Sequence, residues 1–436
     1  MYLADRISGD LINMNRALKN ASILLLVLGV CFITFATGCC DSGNSGQSAE
    51  GKTVLEFWNT MTGREAAVMP DLLKVFHKQN PDILVKETSI EFYEAREKFT
   101  SSVSEGKGPD LMRADRFWLA DFIKKDLLVE FEESEITEEL ADMVPVARDF
   151  VTFDKKVYGI PISVDSLAMF YNKAHFREKS LHVPTNFDEF SDACAKLTDT
   201  GANRFGFFIY PNGWYFEPFF FGFGGQYFDT DGKLFIKSDA GKKALEFLYH
   251  IKNELKAVPP MQLSTKIYRN MIQSFATGQT SIIFTGPWAI RDIIEGSAFK
   301  DNNSNLGVEQ IPAGPRGTFS PIGCQSIVIS SKSKKKAAAL KFAKFMFDYE
   351  SQKSFTMANY GLPARRKVFA APELKKDPYL QTFIRQLQMS CKAYTHPQQG
   401  DIYAPLGDKI VQVLNGDLSI DYALSDVETE WKNTHH

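Results

Sequence analysis

The chain has 436 residues, with 50 Lys and Arg against 53 Asp and Glu and a formal charge of −3, a balance without the basic footprint that a nucleic-acid partner requires. That length can bury a large core and favours two lobes. Aromatics are the outlier, with 36 Phe, 15 Tyr and 5 Trp, and those clustered near loops point to a ligand with a flat face.

The first element in chain order is an export signal. Arg16 and Lys19 form a positive region, an apolar segment runs from Ala21 to Phe35, and the small residues Ala36-Thr37-Gly38 precede Cys39, a processing pattern too short to span a membrane comfortably. Cleavage before Cys39 makes it a lipidated first residue, anchored by several acyl chains because one chain binds a bilayer only marginally. The expected location is the cell envelope, lipid-anchored in the periplasm or at the outer face of the cytoplasmic membrane. Ala36 stands where such signals usually carry Leu, so an uncleaved anchor is the alternative, and Met14 offers a second start. Residues 39–51, with the polar run Asp41 to Ser48, form a tether. Beyond it no apolar run is long enough for a membrane helix.

Thr53 to Trp58 predicts a strand, and a helix follows to about Gln79 with Val68, Leu72 and Phe76 on one face, bent near its start by Pro70. Strands at 83–88 and 111–113 flank a helix at 92–104, and this alternation predicts a parallel sheet. The pattern repeats after Tyr158, with helices near 188–197, 240–252 and 267–277, a strand at 280–284 and another from Ile322 to Ile329. From Lys334 the chain is mostly helical to Thr434, with breaks at Gly361-Leu362-Pro363 and Pro397. The Pro-bearing segments 160–164 and 310–312 read as crossover strands between two α/β halves, which implies a hinge and a cleft. Residues 52–162 and 313–347 are then one lobe and 168–308 and 352–436 the other, with 163–167, 309–312 and 348–351 as hinge.

Cys40, Cys194, Cys324 and Cys391 are widely spaced and include no CxxC pair, so no metal or cofactor is indicated. A disulfide among the last three and buried free thiols are both compatible with an oxidising compartment.

Six segments in this order resemble the extracellular solute-binding proteins of ABC sugar importers, family 1, and within them the maltose/maltodextrin type. They are Phe57-Trp58-Asn59, Gly108-Pro109-Asp110-Leu111, Ala114-Asp115-Arg116-Phe117, Tyr158 to Pro161 leading to Tyr171-Asn172-Lys173, Phe275 to Gln279 leading to Gly286-Pro287-Trp288, and Tyr360-Gly361-Leu362-Pro363. The resemblance implies an α/β, two-lobed periplasmic-binding-protein fold of type II, with hinge-linked lobes and a helical C-terminal region. It also implies a monomer that is not an enzyme, closes on a sugar and delivers it to the transmembrane subunits of an ABC permease.

By the same resemblance Asp115 and Arg116 hold sugar hydroxyls; a carboxylate accepts from two of them and a guanidinium donates as a fixed fork. Their place after a strand suits a ligand gathering at strand ends. Asp165, where the maltose-type pattern has Glu, is placed after the first crossover strand and faces the cleft. Trp288, Trp214, Tyr215 and Tyr403 are platforms for the CH-lined face of a sugar ring, and Asn59, Thr60 and Thr62 lie on the rim, where turn chemistry also explains them. Met112 stands in place of a Trp and Asn212 in place of an acid. A disaccharide, another oligosaccharide and glycerol 3-phosphate therefore stay open, the last needing Arg116 for its phosphate. Two rival classes are an exported glycosidase using Asp115 and Asp165 as acid and base and an adhesin lipoprotein; no HExxH or Ser/His/Asp pattern supports an enzyme.

Overall fold

The computed structural model describes residues 51–61, 63–229, 231–260, 266–390 and 398–435. Residues 49–436 make one compact unit. Cys39, expected to carry the lipid, the expected signal before it, Cys40, Thr62 and Cys391 lie outside the described residues.

The first half opens with strand β1 (Thr53–Asn59), helix α1 (Met69–Gln79), β2 (Ile83–Ser89), α2 (Phe92–Ser104), β3 (Leu111–Asp115), α3 (Arg116–Lys124) and α4 (Pro145–Val151). Pro70 falls in the first turn of α1, where its missing N–H costs nothing. The stretch before it, Gly63–Val68, is a separate 3₁₀ turn. Met69, Leu72 and Phe76 are the buried stripe of α1; Val68 stands one residue before the α-helix proper and is only partly covered.

Strand β4 (Ile160–Ser166) belongs to the first sheet and β5 (Ala168–Asn172) to a second, so the chain changes sheets at Leu167. The second half continues through α5 (Phe187–Leu197), β6 (Phe205–Phe207), α6 (Gly213–Gly222), α7 (Asp239–Tyr249), α8 (Ile267–Ala276), β7 (Thr280–Thr285) and β8 (Leu306–Glu309). The chain returns to the first sheet as β9 (Ile322–Ile329), followed by α9 (Lys336–Phe347), α10 (Tyr349–Asn359), β10 (Leu362–Pro363), α11 (Pro378–Ser390), α12 (Tyr403–Asn415) and α13 (Ile420–Thr434).

The first sheet has the order β10-β4-β9-β3-β1-β2 and the second β8-β5-β7-β6. Only part of the first is parallel. β1 pairs in parallel with β2 and β3, whereas β9 runs antiparallel to both β3 and β4. Parallel pairing follows from local strand–helix–strand crossovers; β9 arrives from the other sheet, with no such crossover to set its direction. The return segment 310–312 is a link without strand pairing, between β8 and β9.

Both links are tied to α11. The Ile311 N–H donates to Gln386 Oε1 at 2.8 Å and the Ser320 N–H to Ser390 Oγ at 3.1 Å, while the Leu167 N–H donates to Ser320 Oγ at 2.7 Å. The third boundary falls later than 348–351. Leu362 and Pro363 pair with Val164 and Ser163 of β4, and α10 packs on the 3₁₀ turn at 63–68. Residues 352–363 therefore stay with the first sheet, because β10 extends its edge. α12 and α13 then pack on α6 and α7 of the second half.

Cys194 and Cys324 are buried free thiols. Among the described residues no helix is long and apolar enough to cross a membrane.

Candidate functional site

Asp115 ends β3 and caps α3. Its Oδ1 accepts the Phe117 N–H at 2.9 Å and its Oδ2 accepts Gln325 Nε2 at 2.7 Å, the second because Gln325 lies opposite it in the β9–β3 register. Burial nonetheless pushes this carboxyl above its usual range, opposed by the Phe117 N–H and the Arg116 charge.

Arg116 begins α3 and is 6% exposed. Its guanidinium carbon sits 3.8 Å from the Phe117 ring centroid and 3.9 Å from that of Phe150. Its Nε has no hydrogen-bond partner among the described residues. Burial lowers its pKa, opposed by the negative potential of Tyr403, Asp115 and Glu217. Such a cation is poorly satisfied by the protein alone.

Asp165 lies within β4, not after it, because the strand runs on to Ser166. It is 9% exposed, and its carboxyl group makes no hydrogen bond among the described residues. Its register partner is Gly323, where a Cβ would fall 1.9 Å from Asp165 Oδ1. Glycine at that position is what gives the carboxylate room. Burial first, then the charge of Asp115, raises its pKa to about 7.

A raised acid holds its proton more tightly folded than unfolded. Its contribution to stability is complete below the unfolded value near 4 and is lost as pH rises through about 7. Asp165→Asn is therefore expected to flatten the fall in stability between about pH 4 and 8 by at least about 1 kcal/mol, read by urea unfolding. A profile that overlays wild type would refute a buried, titrating Asp165.

Across from these groups Glu217, in α6, is 2% exposed. Its Oε1 accepts Tyr403 Oη and Gln399 Nε2, both at 2.7 Å, yet burial still raises it to about 7. Tyr403 thus uses its hydroxyl on Glu217, and its ring meets that of Phe117 edge-on at 5.2 Å. This pair brings the Arg116 end of the first half against the second.

Trp288 follows Gly286-Pro287 at the end of β7. A Cβ on Gly286 would lie 1.9 Å from its indole, so glycine lets the ring fold back over the turn. The indole N–H donates to Tyr268 Oη at 2.6 Å, and Trp214 lies against it at 5.9 Å, tilted by 36°. Asn212, the residue that replaces an acid, caps α6 by accepting the Trp214 N–H at 2.9 Å. Tyr215 packs on Tyr210, centroids 4.6 Å apart. These aromatics form one half-buried wall.

Residues 71–382 match the bacterial extracellular solute-binding proteins. The chain belongs to that family. This solute-binding protein is 25% identical over 375 residues to a maltotriose-binding protein of Pyrococcus abyssi, covering 84% of this chain and 78% of that one. It is 24% identical over 418 residues to a galactooligosaccharide-binding protein of Bacillus subtilis, covering 91% and 93%. Its structure superposes on the GacH receptor of Streptomyces glaucescens, solved unliganded and with acarbose, at a TM-score of 0.81 and 27% identity, covering 88% of this chain and 98% of that one. The α/β, two-lobed periplasmic-binding-protein architecture expected from the sequence is the one found.

In this solute-binding protein Asp115, Arg116 and Asp165 come together, with Tyr403 reaching them through Phe117. Trp214, Tyr215 and Trp288 form the separate wall. Asn59 and Thr60 are almost fully buried and engaged locally: Asn59 Nδ2 donates to Glu87 at 2.6 Å, and Thr60 Oγ1 donates to the Arg113 carbonyl at 3.0 Å.

Glu217 and Gly323 were not singled out by sequence. Glu217 had a signal, being a lone acid within the apolar run Trp214 to Phe223, whereas the room Gly323 leaves is visible only in the pairing register. A cavity of about 830 Å³ opens beyond Phe117, between Arg96 and Asp121 on one side and Asp401, Ile402 and Trp431 on the other. Across it Arg96 Nη1 donates to Asp401 Oδ1 at 2.6 Å, and near it Tyr93 Oη lies 3.0 Å from Tyr210 Oη. Both ties start from one face of α2.

Proposed function

We propose that this protein is the lipid-anchored sugar-capturing component of an ABC importer, closing its two lobes on a maltose-type di- or oligosaccharide and handing it to the permease. The observation that carries the reading is the pair Arg116 and Asp165, a buried guanidinium and a buried carboxyl whose side chains have no hydrogen-bonding partner among the described residues. Vicinal sugar hydroxyls satisfy both, accepting from the guanidinium edge and donating to the carboxylate. The aromatic wall around Trp288 supplies the apolar face that a pyranose ring needs.

The relatives support a saccharide, being named for maltotriose and galactooligosaccharides, and the structural neighbour has been seen with acarbose. Lipidation at Cys39 rests on the signal pattern alone. The links at Leu167 and 310–312, tied to α11, serve as the hinge. Moving a 1:99 closed-to-open mixture to 99:1 takes about 5.5 kcal/mol of differential affinity, which a polar ligand touched by both lobes supplies.

The test is a titration of Trp fluorescence and melting temperature with maltose, maltotriose, trehalose, sucrose and glycerol 3-phosphate. Saturation by one of the sugars with a raised melting temperature is expected. Saturation by glycerol 3-phosphate alone would reassign the ligand to an anion on Arg116, and a folded sample that answers none of the five would overturn sugar capture. Binding is also expected to tighten as pH rises through about 7, since sugar hydroxyls donate to the ionised form of Asp165, with protons released on binding.

A further inference from the structure

We propose that Phe150 is a positioning residue for ligand recognition, acting through Arg116, an inference that rests on sugar capture at this site. Its ring centroid lies 3.9 Å from the Arg116 guanidinium carbon, while Phe117 stands at 3.8 Å. Each ring at that distance covers a whole face of the guanidinium, so two cannot share one face, and the plane lies between them.

The clamp has two consequences. It lets a cation stay buried at 6% exposure with ring quadrupoles in place of water. It also closes both faces of the fork, so that a ligand reaches Arg116 only along its N–H edge. Edge access selects two coplanar acceptor oxygens, as on adjacent sugar hydroxyls, and disfavours stacking by a flat apolar ring.

The two halves of the clamp differ in what else they touch. Phe117 also meets Tyr403 of the other lobe, and its Cβ lies 2.7 Å from where a Cβ on Gly400 would be. Any change there disturbs closure as well as Arg116. Phe150 is half-buried on α4, which packs on α3, β4 and β9 of its own lobe. It therefore reports on the clamp without touching the contact to Tyr403.

The experiment is a double-mutant cycle on the full chain in mild detergent, with maltotriose as the probe. Phe150→Leu is expected to weaken binding about tenfold, in line with loss of a desolvated cation–π contact, and Phe150→Tyr, which keeps the ring, to restore it. In an Arg116→Met background Phe150→Leu is expected to change affinity less than twofold. An equal loss in both backgrounds, or wild-type affinity in Phe150→Leu, overturns the proposal.

A second measurement needs no ligand. Phenylglyoxal labelling of Arg116, followed by peptide mass, is expected to be at least tenfold faster in Phe150→Leu than in wild type, and equal rates overturn the clamp. Wild-type protein that ignores maltotriose while Arg116 stays protected sinks the functional reading and the recognition role with it. Wild-type affinity in Arg116→Met shows instead that this arginine is no ligand contact.

Discussion

Trp288→Ala is expected to weaken maltotriose binding roughly thirtyfold, the scale of a central aromatic anchor worth about 2 kcal/mol, with little change in melting temperature. The indole is held on three sides. Gly286 lies beneath it, Tyr268 accepts its N–H, and Trp214 leans on it at 5.9 Å. None of those supports needs the indole in order to fold, since Tyr268 Oη also lies 3.3 Å from Thr285 Oγ1 and Trp214 belongs to the helix that Asn212 caps. Truncation therefore removes a stacking surface and leaves β7 and its turn intact. Calorimetric titration beside a thermal melt checks this. Affinity equal to wild type would end the platform assignment, and a large fall in melting temperature would mean that the ring serves the core.

Phe342→Ala is expected to cost about 3–5 kcal/mol of folding stability, as emptying a buried aromatic site does. Phe342 is fully buried where α9 crosses β1, with edge contacts to Phe57 at 5.3 Å and Phe76 at 5.1 Å. The chain between β1 and α9 passes through the strands of the second sheet, from β5 to β8, before it returns. The ring thus joins the first segment of its lobe to the segment that returns, and close-packed surroundings relax only partly into the void. Urea unfolding is the readout. A loss below about 1 kcal/mol would mean that α9 is not part of the first lobe's core.

The elements and the site differ in how far they were legible in sequence. Helix α2 and strand β9 occupy the residues that periodicity assigns, 92–104 and 322–329, because apolar spacing reports the buried face of an element wherever that element packs. Direction is another matter. The antiparallel run of β9 beside β3, and β10 as a further strand of the first sheet at 362–363, depend on where the chain returns from, which no local pattern records. The same holds within the site. The Asp-Arg-Phe triplet stood out as neighbours in sequence, and Tyr403 joined it only through contact across the two lobes.

What the sequence by itself determined was local and chemical: an apolar segment ending at Cys39, the alternation of strands and helices, and the residue types able to hold a hydroxylated ligand. Tertiary structure alone decided which of those groups lack protein partners. Asn59 and Thr60 are engaged by Glu87 and Arg113, while Arg116 is left between two rings and Asp165 faces a glycine. Whether a buried polar atom is satisfied depends on partners 28 residues away for Asn59 and 53 for Thr60. Desolvation and pairing are properties of the assembled interior, so the distinction between a structural polar residue and a recognising one emerges only on folding.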